Sequence, residues 1–208
     1  MLGKPKILYR DDRFLSIEEI EFYQSLLKSP KWAPSSSYKN TGNQLEETAY
    51  WGRDLYRQYE WDYNWEATGW LHEEPPEWEI LYKKISSHLP KHYIHWIDCK
   101  ITSFGQDGVD LHRDRDPWDK GGDIKFSRAI SVICNLNTKW KEEWGGHFQL
   151  WETYLNSNNQ LSHKLDIEIP LFPGQLVIVE NCYHSVKPII QPKKSRISFI
   201  LHVLEYNN

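Results

Sequence analysis

The stretch Gln175-Leu-Val-Ile-Val179, Glu180-Asn-Cys-Tyr183, His184-Ser-Val-Lys-Pro188 joins a β-branched apolar run to a second short run across a few turn-forming residues. Runs of this kind, set between Pro173-Gly174 and Pro188, predict strands rather than helix. The same texture recurs on both sides. Tyr93–Phe104, Ala129–Leu136, His147–Trp151, Leu165–Ile169 and Ile197–Leu204 are also short β-branched or aromatic runs, and Gly, Pro, Asn or Asp punctuate most of the gaps. The second half of the chain is therefore expected to form an antiparallel barrel or sandwich.

The first half reads differently. Ser16 and Glu19 have capping-box spacing, and Ile17, Ile20, Phe22, Tyr23, Leu26 and Leu27 follow at helical intervals. With Lys28 and Pro30 as a stop, the pattern predicts a helix over 16–29. A second helix is expected over Glu77–Ser87, entered through Pro75-Pro76. Residues 33–48 are polar and turn-rich, as a surface loop would be. Helices followed by strands indicate an α+β protein. No repeat, low-complexity tract or linker divides it, so a single domain over 1–208 is expected, with 1–92 helical and loop-rich and 93–206 forming the barrel.

Composition narrows the class. The chain is 39% hydrophobic and 26% charged, ordinary for a globular protein. No apolar run approaches the roughly 20 residues of a membrane span, and MLGKPKILYRDDRFLS lacks the apolar core of a secretory signal. A cytoplasmic protein is expected. Cys99, Cys134 and Cys182 form no CxxC pair, which argues against a disulfide framework or a thiolate zinc site. A net charge of −4 gives no global basic field for nucleic acid, although Lys187, Lys193, Lys194 and Arg196 lie close together. The 11 tryptophans, nearly all between Trp32 and Trp151, fit a wide aromatic core or an aromatic-lined cleft. The irregular segment from Trp32 to Trp78, with Trp61, Tyr63 and Trp65, is expected to form much of that cleft. Packing of those rings onto the barrel is the alternative.

Leu111-His112-Arg113-Asp114 carries the chemistry. On a strand or its continuation, positions i and i+2 share a face, so His112 Nε2 and the Asp114 carboxylate can converge on one ion. His184, from a distant strand, would complete one face of an octahedron and leave the opposite positions open. Trp118 to Gly122 reads as a loop, as a mouth would. Arg196 follows His184 by twelve positions, and Ser198 shares its strand face. Their neighbours Ile197, Phe199 and Ile200 imply a buried strand, where an unpaired charge is costly. A guanidinium fork beside a hydroxyl suits a dicarboxylate. His147 and His202 lie in strand-like runs and read as satisfied barrel residues. Cys182 reads as a packed side chain, and Gly145-Gly146 as a point of close backbone approach.

Phe104-Gly105, His112-Arg-Asp114, Arg128, Leu136-Asn137, Trp140, Gly145-Gly146-His-Phe-Gln-Leu150, Phe172-Pro173-Gly174, His184-Ser-Val-Lys-Pro188 and Arg196 occur in this order over about half the chain. The series resembles the catalytic barrel of the 2-oxoglutarate/Fe(II) dioxygenases, and within them the prolyl 4-hydroxylase-like branch. The resemblance implies a double-stranded β-helix (a jelly-roll, cupin-like barrel) with the N-terminal helices packed on it. It implies Fe(II) held by His112, Asp114 and His184, with 2-oxoglutarate and O2 as co-substrates and ascorbate as a stimulant. Arg196 would anchor the C5 carboxylate of 2-oxoglutarate, with Ser198 beside it. The sequence departs from the pattern at Asn135, where the branch often has a Tyr, and at Phe104, where it has another. Asn135 is retained as a second contact through its amide.

The branch implies hydroxylation of an amino-acid residue, free or in a peptide. Two other functions compete. Tyr50-Trp-Gly-Arg53, Tyr56 and Pro75-Pro-Glu-Trp78 faintly resemble the lid of the alkylation-repair dioxygenases, where exposed rings would stack a flipped base. The negative net charge and the lack of a second Arg shortly after Ser198 weigh against nucleic acid. The other competitor is a catalytically silent cupin-like barrel, which the intact ligand set disfavours.

Overall fold

The computed structural model describes residues 2–26, 76–103, 108–114 and 126–206. The chain begins with a short strand, β1 (Ile7–Asp11), and a helix, α1 (Ile17–Leu26). At the head of α1 the Glu19 N–H donates to Ser16 Oγ at 3.2 Å, while the Ser16 N–H donates to Glu19 Oε2 at 2.8 Å. Two donors without helical partners are thus satisfied reciprocally, as the capping-box spacing requires. The apolar stripe buries Ile20 and Tyr23. The helix expected as far as 29 and the loop over 33–48 run beyond Leu26 into residues outside those described. The second helix, α2 (Pro76–Ser86), starts at a proline, whose missing N–H costs nothing in the first turn. Lys84 Nζ reaches Glu19 Oε1 at 2.7 Å. That pair is half-exposed and contributes little; the fully buried Leu81 and Ile85 anchor α2.

Eight strands follow: β2 (His92–Ser103), β3 (Val109–His112), β4 (Phe126–Asn135), β5 (Phe148–Leu155), β6 (Leu161–Ile169), β7 (Leu176–Glu180), β8 (Tyr183–Val186) and β9 (Ser195–Tyr206). They form two antiparallel sheets, ordered β1-β7-β4-β9-β2 and β3-β8-β5-β6. From β2 onward the chain changes sheet at every connection except β5 to β6. That alternation is the double-stranded β-helix anticipated from the sequence, with both helices on the larger sheet.

Strand periodicity explains how the layers pack. On the larger sheet, Ile130, Val132, Cys134 and Leu136, with Phe199, Leu201 and Val203, point to Ile20, Tyr23, Leu81 and Ile85 of the helices. The alternate residues Ile133, Val177 and Val179 meet Phe148, Leu150, Ile169 and Val186 of the smaller sheet. The larger sheet is therefore buried on both faces, and β7 reads as an unbroken apolar run for that reason. β1, which the sequence did not announce as a strand, covers the free edge of β7. Among the described residues, no helix is long and apolar enough to cross a membrane.

His147 is satisfied within the barrel wall, as expected of it: its ring nitrogens lie 2.8 Å from Glu168 Oε1 and 3.0 Å from the Glu142 carbonyl oxygen. Glu168 also accepts from Lys187 Nζ at 2.7 Å and Gln149 Nε2 at 2.8 Å. Lys187 first, then His147, hold its carboxyl down at about 2 against the opposing effect of burial. A carboxyl depressed in the folded state contributes stability that is present above its unfolded pKa of about 4.3. That contribution should disappear as pH falls from there to about 2. Glu168→Gln should therefore show a shallower loss of stability over this window than the wild type in denaturant melts. Parallel curves for the two proteins would show that Glu168 is not linked to acid unfolding.

Candidate metal centre

His112 closes β3, His184 is the second residue of β8, and the two are direct cross-strand partners. Their rings meet edge-on at 4.3 Å between centroids. Each ring is oriented by a backbone carbonyl two residues before it: His112 Nδ1 lies 2.7 Å from the Asp110 oxygen, and His184 Nδ1 lies 2.9 Å from the Cys182 oxygen. A carbonyl only accepts, so Nδ1 carries the proton and Nε2 keeps its lone pair. Asp114 Oδ1 lies 3.7 Å from both Nε2 atoms. That is too far for a hydrogen bond. All three side chains offer ligand atoms within 4.8 Å of one another, the separation expected of donors around one cation.

The other oxygen of Asp114 is occupied. Ser131 Oγ donates to Oδ2 at 2.5 Å, and His202 Nδ1 lies 3.1 Å from the same atom. The Asp114 carbonyl accepts from Asn181 Nδ2 at 3.0 Å. Burial alone would raise the Asp114 pKa, but His202, His184 and the Ser131 hydroxyl outweigh it and hold the carboxyl well below the usual carboxylate range. Burial pushes His184 down to about 4 against the opposing charge of Asp114, so its imidazole is neutral near pH 7. Burial also pushes the Cys182 thiol up to about 12, which keeps it protonated. The set is one carboxylate and two imidazoles that turn Nε2 to one face, donors that suit a non-haem iron. His202, read in the sequence as a barrel residue rather than a ligand, lies outside the ligand group on β9 but reaches Asp114, as do Ser131 and Asn181.

A second group of residues lies further along the inner face of β9. Arg196 and Ser198 are 4% and 2% exposed, and among the described residues neither Arg196 Nε nor Ser198 Oγ has a hydrogen-bond partner. A buried guanidinium without an anion is costly, and burial lowers the Arg196 pKa to about 10. The backbone on either side of Arg196 is fixed by one amide: Asn137 Nδ2 donates to the Ser195 carbonyl at 2.8 Å, and Asn137 Oδ1 accepts from the Ile197 N–H at 2.9 Å. Gly146, at φ +74°, leaves room for the Arg196 stem; a Cβ there would sit 3.7 Å from Arg196 Cδ and 3.2 Å from the Trp140 ring. A buried guanidinium and a hydroxyl on one strand face fit a carboxylate of a small ligand. Asn135 is paired with Ser198 across β4 and β9. Its Nδ2 donates to the Phe172 carbonyl and its Oδ1 accepts from the Asn137 N–H at 3.2 Å. At most one amide proton remains for a ligand, because the side chain fastens the loops.

Phe104, the loop at Trp118 to Gly122, the aromatic segment with Trp61, Tyr63 and Trp65, and the lid-like Tyr50–Tyr56 stretch lie outside the described residues.

A family model described as the 2OG-Fe(II) oxygenase superfamily matches residues 99–203. No curated protein matches the chain. Among solved structures, the fold is similar to a prolyl-4-hydroxylase from Pseudomonas putida, with TM-score 0.51, 14% identity, and coverage of 95% of this chain and 91% of that one. It is also similar to a non-haem alpha-ketoglutarate-dependent carbocyclase, SnoK, from nogalamycin biosynthesis, with TM-score 0.57, 12% identity, and coverage of 94% and 78%. The corresponding epimerase, SnoN, gives TM-score 0.53, 10% identity, and coverage of 96% and 80%. At these identities the likeness concerns the fold.

Proposed function

The chain belongs to the 2OG-Fe(II) oxygenase superfamily, and from that premise we propose that it hydroxylates an amino-acid residue, free or within a peptide, at a centre formed by His112, Asp114 and His184. The observation that carries this reading is the convergence of those three side chains in a barrel whose inner face also carries a buried Arg196, with Nε finding no partner among the described residues. Fe(II) bound there, with 2-oxoglutarate and O2, supplies a reaction in which one oxygen atom enters a substrate C–H bond while the co-substrate leaves as succinate and CO2. The residues divide the work. His112 and His184 offer the lone pairs of their Nε2 atoms, and Asp114 offers a charge that its surroundings keep ionised. Arg196 takes the distal carboxylate of the co-substrate in a fork, and the Ser198 hydroxyl adds a donor. A Gly or Ala in place of Asp114 would leave a ligand position for halide. The carboxylate fills it, which supports hydroxylation over halogenation.

The prolyl-4-hydroxylase of similar fold supports an amino-acid residue as the target. A carbocyclase and an epimerase share that fold, so product analysis must decide the outcome. The test is succinate release with Fe(II) and 2-oxoglutarate across amino acids, peptides and methylated oligonucleotides, followed by mass spectrometry. A gain of 16 Da, one oxygen atom, on an amino acid or peptide is the expected result. Loss of methyl from an oligonucleotide would replace this reading with nucleic-acid demethylation. Absence of succinate with every substrate would point to a silent barrel.

A further inference from the structure

Asp114 presents its two oxygens to different surroundings. Oδ1 faces both imidazoles at 3.7 Å, while Oδ2 is approached by Ser131 Oγ at 2.5 Å and His202 Nδ1 at 3.1 Å. Ser131 and His202 are directly opposite each other on β4 and β9, so one cross-strand pair on the larger sheet delivers two groups to a single oxygen. The two imidazoles come from the matching device on the smaller sheet, the His112–His184 pair of β3 and β8. The centre is thus built where a cross-strand pair from each sheet meets the same carboxylate.

We infer that Ser131 and His202 are positioning residues that reserve Oδ2 and so hold Asp114 as a one-oxygen ligand. The inference rests on the reading of His112, Asp114 and His184 as the metal ligands. A carboxylate can bind a cation through one oxygen or both. Binding through both would consume one of the positions that must stay open for co-substrate and O2. With Oδ2 accepting from the Ser131 hydroxyl and His202 Nδ1 in ion-pair range at 3.1 Å, swinging it onto the metal would strip the buried Ser131 donor of its acceptor and draw the carboxylate away from His202, which is unfavourable. The clamp also ties ligand geometry to the packing of the larger sheet, since neither residue lies on a strand that carries a metal-ligating histidine. Asn181 completes the restraint by fixing the Asp114 carbonyl at 3.0 Å.

The experiment uses the full chain and Co(II) alone, titrated anaerobically and followed by affinity and visible absorption, which reports coordination number and geometry. Wild-type protein should bind one Co(II), and His112→Ala should not. His202→Leu and Ser131→Ala should each weaken Co(II) by about 10- to 100-fold, the range for loss of a group that orients a metal ligand, and should change the shape of the spectrum. His202→Asn should restore both, because an Asn Nδ2 can occupy nearly the place of the His Nδ1. Ser131→Ala removes a single oxygen and keeps the test decisive if the leucine variant folds poorly. Wild-type affinity and spectrum in both Ser131→Ala and His202→Leu would overturn the clamp while leaving the ligands in place. Failure of the wild type itself to bind Co(II) would overturn the ligand assignment and the clamp with it.

Discussion

His184→Ala should abolish succinate formation while far-UV circular dichroism stays native-like. Three side chains define the coordinating face, and His184 supplies the only ligand from β8. With His112 and Asp114 alone, an ion would be held by two donors and lose the facial geometry that leaves co-substrate and O2 on adjacent open positions. The variant forfeits one hydrogen bond to the Cys182 carbonyl and the ring contact with Phe148. These are small losses beside a core that includes Leu150, Val177, Val179 and Ile169, so the barrel should survive. The neutral state of His184 adds a corollary. Since burial, not a partner, keeps the imidazole uncharged, a His184→Lys variant would place a cation among ligands meant for one and should lose metal without gaining activity. Retained turnover of His184→Ala at saturating Fe(II) would remove His184 from the triad.

Much of this architecture was legible in the sequence, and the reasons for the gaps are physical. β4, β7 and β9 declare themselves because a sheet buried on both faces needs long β-branched runs, such as Leu176 to Val179. β1 does not, and β3 and β8 are legible mainly through the ligand residues they carry. All three are short, and exposed positions such as Leu111 follow no alternation. Their pairing is fixed by distant neighbours rather than by local propensity. At the centre, the ligand residues could be named because HxD spacing places two donors on one face and the ordered motifs around them supply a distant third. His202 shares the parity of Arg196 and Ser198 on β9, so its inward direction was available. What no spacing carries is the register of β4 against β9, which sets Ser131 beside His202 at the level of Asp114. Asn135 shows a second use that the sequence did not reveal. Its position before Leu136-Asn137 suggested a ligand contact, but the turns after β4 and before β7 need its amide more directly.

Arg196→Ala should separate co-substrate binding from folding. In most proteins, truncating a buried arginine strands a counter-charge and destabilises the fold. Here Nε of the guanidinium itself lacks a partner among the described residues; Arg196 is 4% exposed, and burial already disfavours its charged form. The ligand-free variant should therefore melt no lower than wild type in thermal unfolding. With the variant, the C5 carboxylate would be buried without its partner, at a cost of roughly 3–5 kcal/mol. At about 1.4 kcal/mol per tenfold, the KM for 2-oxoglutarate should rise at least a hundredfold, and the thermal stabilisation that 2-oxoglutarate gives the wild type should vanish. Co(II) binding should be untouched, because Arg196 is no part of the His112–Asp114–His184 face. Arg196→Lys should recover only part of the loss, since a single ammonium cannot reproduce a two-pronged contact. An unchanged KM in Arg196→Ala would transfer the anchor to Lys193 or Lys194, which lie just before the strand. A large fall in melting temperature would show that Arg196 balances a charge within the fold rather than waiting for one from the ligand.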